Sequence, residues 1–146
     1  MRQRVLLVCT ANVCRSPVAQ ALWTQQVEAR GKRFVATSAG TEAQPGLQAD
    51  PMCTTLLAKR GLDLAAHRSV RVNLERVADQ DLILVMEKRH AQWLCGALPV
   101  LNGRVHLLGR WGVGEIADPH GKEREKYERC IVEIESSIGQ WLDRLR

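Results

Sequence analysis

A chain of 146 residues is the usual size of one domain and can bury about two thirds of its unfolded surface in a single core. Hydrophobic residues make up 45% and charged residues 25%, ordinary for a soluble globular protein, and no run approaches the roughly 18 apolar residues of a membrane span, so disorder and membrane insertion are excluded. The net charge of +5 allows an anionic partner, whether a phosphate, an acidic protein or a nucleic acid, without choosing among them.

The basic opening MRQR precedes VLLV, which is too short for the apolar stretch of a signal peptide, and no small-residue cleavage site follows. A cytoplasmic protein with one domain over 1–146 is expected. RVLLVC (4–9) is a continuous apolar run, as in a strand covered on both faces. SPVAQALWTQQVEARG follows at helical spacing, with Ser16 suited to the N-cap, Pro17 to the first helical position and Gly31 to the stop. RFVATSAG (33–40) reads as a second strand, and ADPMCTTLLAKRG as a helix with Asp50 and Pro51 at its start and Gly61 at its end. NLERVADQ reads as a short helix opened by Asn73, DLILVM (81–86) as a buried strand and EKRHAQWLCG as a helix. RVHLLG (104–109) is the fourth strand and 122–145 a long amphipathic closing helix.

Strands alternating with helices predict a three-layer α/β sandwich: a four-stranded parallel sheet, order 2-1-3-4, flanked by helices on both faces. Ligands of such folds bind beyond the carboxyl ends of the strands, beside the first strand. TEAQPGLQAD (41–50), the most loop-like stretch, leaves from that edge.

The segment VCTANVCRSP lies at that edge. A loop from a strand's carboxyl end to a helix's amino end aims unpaired N–H groups and the positive end of the helix dipole at one point, where anions bind. A thiol there, Cys9, is favoured in its ionised, nucleophilic form. Arg15 can grip two phosphate oxygens with a planar fork that lysine lacks. Asn12, inside the loop, tolerates positive φ. A leaving phenolate needs a proton, and Asp118, in the loop after the fourth strand, is the candidate donor, with Pro119 holding it out of helical geometry. The plainer reading of Asp118 is a cap for the last helix. Five scattered cysteines, Cys9, Cys14, Cys53, Cys95 and Cys130, argue for free thiols rather than a disulfide framework, and no second Cys/His pair has ligand spacing, so no metal or cofactor is expected. His90, His106 and His120 read as surface or half-buried residues, and Trp23, Trp93 and Trp141 as core. Trp111 either packs or lines the site.

VCTANVCRSP resembles the signature of the low-molecular-weight protein tyrosine phosphatases, and the similarity extends over essentially the whole chain. SAGT, ADP, DLILVMEKRH and EIADP bring it near the bacterial branch associated with exopolysaccharide and capsule tyrosine kinases. The resemblance implies phosphotyrosine hydrolysis through a phosphocysteine at Cys9, with Arg15 as phosphate clamp and Asp118 as general acid. It implies a phosphate loop of Cys9, Thr10, Ala11, Asn12, Val13, Cys14, Arg15 and Ser16, with Ser16 stabilising the thiolate and Cys14 as a redox-protective cysteine. Asn12, Ser38 and His67 match the network that supports the loop. The implied partner is a tyrosine-phosphorylated protein, such as a bacterial tyrosine autokinase, met by a monomer or weak dimer.

Ala11 stands where the family usually has glycine, His120 where it has tyrosine, and Gln44 at a wall position that is often aromatic or apolar; Val13, Gln44 and His120 are the expected substrate wall. Arsenate reductases of the fold use a downstream cysteine pair, whereas Cys95 stands alone. Its arginine phosphatases carry threonine where this chain has Val13. A non-catalytic phosphoprotein-binding module remains a rival reading. Nucleic-acid binding is not expected, because the basic residues are dispersed and lack aromatic interleaving.

Overall fold

The computed structural model describes residues 2–145. Four parallel strands form one sheet in the expected order, β2-β1-β3-β4. They are β1 (Gln3–Cys9), β2 (Phe34–Gly40), β3 (Leu82–Val85) and β4 (Val105–Leu107), and the helices are α1 (Arg15–Ala29), α2 (Pro51–Ala58), α3 (Lys88–Ala97) and α4 (Arg124–Leu142). Side chains alternate along β1 and divide the core. Val5, Leu7 and Cys9 join the cluster that holds Trp23 of α1, Leu57 of α2 and Ile134 of α4. Leu6 and Val8 join Ile83, Val85 and Leu94 of α3 on the other face. That alternation carries Cys9 to the α1 side at the end of its strand, one position beyond the last β1–β3 pair, Val8 with Val85.

Asp50 caps α2 as expected, accepting from Met52 N at 2.9 Å. Gly31 and Gly61 follow the first two helices with φ of 65° and 75°. Residues 73–80 do not form the expected helix. Asn73 Oδ1 accepts from Glu75 N in a turn, and only a 3₁₀ turn at Val77–Asp79 follows. Eight residues carry the full cost of helix nucleation, and Val77 alone among them is buried against the core. Trp23 and Trp141 are buried, but Trp93 is 39% exposed and joins neither core cluster. Among the described residues no helix is long and apolar enough to cross a membrane.

Candidate active site

Between β1 and α1 the chain turns in five residues, and Asn12, with φ of 58°, is the one non-glycine residue at positive φ among those described. Asparagine reaches this region at less cost than most residues. Tertiary hydrogen bonds hold it there. Asn12 Nδ2 donates to Ser16 Oγ (2.7 Å) and Ser38 Oγ (3.0 Å), and Oδ1 accepts from Val70 N (2.9 Å). His67 Nε2 donates to the Asn12 carbonyl at 2.8 Å. Asn12, Ser38 and His67 thus converge beneath the loop, while Ala11 has no positive φ and carries no strain on that account. A Cβ on Gly40 would collide with the Thr10 carbonyl, so glycine at the end of β2 leaves room for the loop.

Ser16 is not the N-cap. Helix α1 starts two residues earlier than expected, at Arg15 rather than Pro17, and Cys14 takes the cap position without a side-chain hydrogen bond. The Ser16 hydroxyl lies instead 2.9 Å from Cys9 Sγ. Because it already accepts from Asn12, its own proton is free for the sulfur.

Arg15 is 1% exposed, and its orientation is fixed from outside the loop. Nη1 donates to Glu87 Oε2 at 2.6 Å and to the Ile116 carbonyl at 2.8 Å. Burial alone would raise the Glu87 pKa, but hydrogen bonds from Arg89 and Arg15 outweigh it and hold the carboxyl below its usual range. His90, expected at the surface or half-buried, is instead fully buried at the start of α3. Burial, then the charges of Arg15 and Arg89, lower its pKa to about 4, so the ring is neutral at pH 7. Its Nδ1 accepts from Glu87 N at 3.1 Å, which leaves the proton on Nε2 for Thr10 Oγ1 at 2.9 Å. Neither Glu87 nor His90 was singled out for the site. The available signal was EKRH directly after the DLILVM strand, which starts a helix at the carboxyl edge with His three residues after Glu.

Asp118 reaches the same place by a pinned route. Ile116 N donates to the Met86 carbonyl (2.9 Å), and the Ile116 carbonyl accepts from Arg15, which fixes the chain two residues before the acid. Asp118 Oδ2 lies 3.9 Å from Arg15 Nη2, and Oδ1 accepts from His120 N at 3.0 Å. The α4 N-cap is Glu123, so Asp118 does not cap that helix. Cys9, Ala11, Val13, Arg15, Asp118 and His120 line one cavity of about 430 Å³.

A family model described as low molecular weight phosphotyrosine protein phosphatase matches residues 4–146. The chain belongs to that family. Among such phosphatases, Wzb of Salmonella typhimurium is 37% identical over 150 residues, covering 99% of this chain and 95% of its own. The crystal structure of the T. tengcongensis low-molecular-weight phosphatase aligns with a TM-score of 0.92 at 31% identity, over 98% of this chain and 99% of that one. The YwlE arginine phosphatase of Geobacillus stearothermophilus aligns at 0.88 and 30% identity, over 97% and 92%.

In this phosphatase chain the far wall of the cavity is Leu47, Gln48, Ala49 and Pro51. Gln44 lies outside that lining; it is exposed, and its carbonyl accepts from Ser69 Oγ. Trp111 also lies outside. Its ring packs 5.7 Å from Trp141, with the Arg110 and Arg144 guanidinium groups 4.6 and 4.3 Å from its centroid. Asp50 does more than cap α2. Its Oδ2 accepts from Tyr127 OH of α4 (2.7 Å) and His120 Nδ1 (2.6 Å), and Asp50 N donates to the Val13 carbonyl (2.7 Å). Burial opposes ionisation of Asp50, but the hydrogen bonds from Tyr127, His120 and Met52 N prevail and lower its pKa. Cys14, Asp50 and Cys53 hold donor atoms within 4.8 Å of one another, a spacing that could take an ion, although both Asp50 oxygens already accept hydrogen bonds.

Proposed function

We propose that this chain hydrolyses phosphotyrosine in proteins by two displacements through a phosphocysteine at Cys9. The observation that carries this reading is the meeting of Cys9, Arg15 and Asp118 around one cavity at the amino end of α1. Phosphoryl oxygens take the loop's N–H groups and the Nε and Nη2 edge of Arg15, since Nη1 is committed to Glu87 and Ile116. The Cys9 thiolate, with Ser16 donating to it, forms the P–S bond as the P–O bond breaks, and Asp118 protonates the departing phenolate. Asp118 then takes a proton from the water that attacks phosphorus, and Cys9 leaves as thiolate.

Ala11, Val13, Leu47, Ala49 and Pro51 give the cavity apolar surface for a phenyl ring, and His120 gives it a polar margin. The partner is a tyrosine-phosphorylated protein, for which a bacterial tyrosine autokinase of exopolysaccharide or capsule regulation is our assignment. The test is capture by a Cys9→Ser variant in native lysate, together with turnover of a chromogenic aryl phosphate. We expect turnover that survives chelators and a retained phosphotyrosine protein. Activity that persists in Cys9→Ala, or that chelation removes and a divalent ion restores, overturns the mechanism.

A further inference from the structure

Hydrolysis makes no use of a second thiol pair beside the loop. Cys14 Sγ lies 2.8 Å from Cys53 Sγ, and both residues are buried. Cys53 is the third residue of α2, and the start of that helix is tied to the loop by Asp50 N donating to the Val13 carbonyl at 2.7 Å. Cys14 therefore has two neighbourhoods: it lines the cavity with Cys9, and it touches Cys53 behind the cavity wall. Its hydrogen bond with Cys53 and its burial push the Cys14 thiol far above the usual range, so Cys14 remains protonated and is a poor first target for an oxidant. Cys53 itself does not line the cavity.

We propose that Cys14 and Cys53 form a disulfide-modification site, which receives the oxidation first suffered by Cys9 and returns Cys9 to its thiolate. The proposal rests on Cys9 being the reactive thiol of the functional reading. The oxidant is a hydroperoxide. Cys9 thiolate attacks one peroxide oxygen, the O–O bond breaks, hydroxide leaves and Cys9 becomes a sulfenic acid. Cys14 sulfur then attacks Cys9 sulfur; an S–S bond forms, the S–O bond breaks, and the Cys14 proton leaves with the hydroxyl as water. Cys53 sulfur next attacks Cys14 sulfur, the Cys9–Cys14 bond breaks, Cys9 departs as thiolate, and the Cys53 proton neutralises the hydroxide. In sum one hydrogen peroxide is reduced to two waters and two thiols are oxidised to one disulfide. The exchange runs toward Cys53 because the departing thiolate is the one that receives the Ser16 hydroxyl at the amino end of α1.

The test treats the whole protein with one equivalent of hydrogen peroxide, quenches with iodoacetamide at intervals and maps linked peptides, with aryl phosphate turnover of untreated protein measured in parallel. We expect a transient Cys9–Cys14 link that gives way to Cys14–Cys53, and Cys9 alkylation that returns to its starting level without reductant. In Cys53→Ala and in Cys53→Ser, oxidation stops at Cys9–Cys14, and Cys9 stays blocked until dithiothreitol is added. A parent protein that turns over substrate yet ends at Cys9–Cys14, or links Cys53 to Cys130, overturns the inference while leaving the functional reading intact. Recovery of Cys9 in both Cys53 variants as complete as in the parent overturns it equally. Absence of turnover counts against the functional reading, and the linkage map still decides the Cys53 step.

Discussion

Asp118 does not cap α4, and while its Oδ1 accepts from His120 N, its Oδ2, 3.9 Å from the buried Arg15, accepts no hydrogen bond among the described residues and is the oxygen we assign to proton transfer. General acid catalysis contributes typically about 10² to 10⁴ in rate. Asp118→Asn is expected to slow phenol release from phosphotyrosine by a factor in that range, and to cost far less for an electron-poor phenol whose anion leaves unaided. The measurement is the pre-steady-state burst, which reads formation of the phosphocysteine separately from its breakdown. Equal slowing across phenols of widely different acidity contradicts the assignment. Val13 lines the cavity and offers no polar group to a guanidinium. The unmodified enzyme should therefore prefer phosphotyrosine over phosphoarginine in matched peptides, and Val13→Thr should narrow the ratio of kcat/KM values.

At the scale of elements, Asp50 joins four pieces of chain: the loop through Val13, the first turn of α2, the segment carrying His120, and α4 through Tyr127. Asp50→Ala removes a helix cap and two hydrogen bonds to a buried carboxylate, and should cost roughly 3 kcal/mol in urea unfolding. The cap was legible because Asp followed by Pro acts on the amides of its own helix. Ser16 followed by Pro17 has the same local form, yet it was misread, since Asn12 and Cys9 claim the hydroxyl. Glu87, His90 and the outward place of Gln44 went unread for a related reason. Arg15 and Glu87 are 72 residues apart, and nothing in the local periodicity of either segment names the other.

Across the whole molecule, the parallel sheet was legible in the strand–helix alternation, because parallel strands need crossovers, and the observed order is the expected 2-1-3-4. Three groups, buried His90 and Asp50 and half-buried Glu87, then give stability a common pH dependence. His90 has a folded pKa lowered to about 4 from an ordinary value of 6.5, so the unfolded chain binds more protons between those values, and stability falls as pH drops through that window. Asp50 and Glu87, lowered from the carboxylate range, add their loss as pH falls below about 4. Urea midpoints should decline from about pH 6.5 downward, and His90→Gln should flatten the first part of that decline.

The segment that leads from β4 to Asp118 is also held along its length. Gly114 N donates to the Gly109 carbonyl at 2.7 Å, Trp111 lies against Trp141 between two arginines, and Ile116 is fastened to Met86, one residue past β3, and to Arg15. Enzymes whose proton donor rides on a swinging lid spend part of each cycle waiting for closure. Here Asp118, the proposed donor, lines the same cavity as the Cys9 thiol before substrate arrives. Microscopic friction should therefore leave the burst untouched: adding glycerol or sucrose to thicken the medium slows encounter, while phosphoryl transfer within the bound complex keeps its pace.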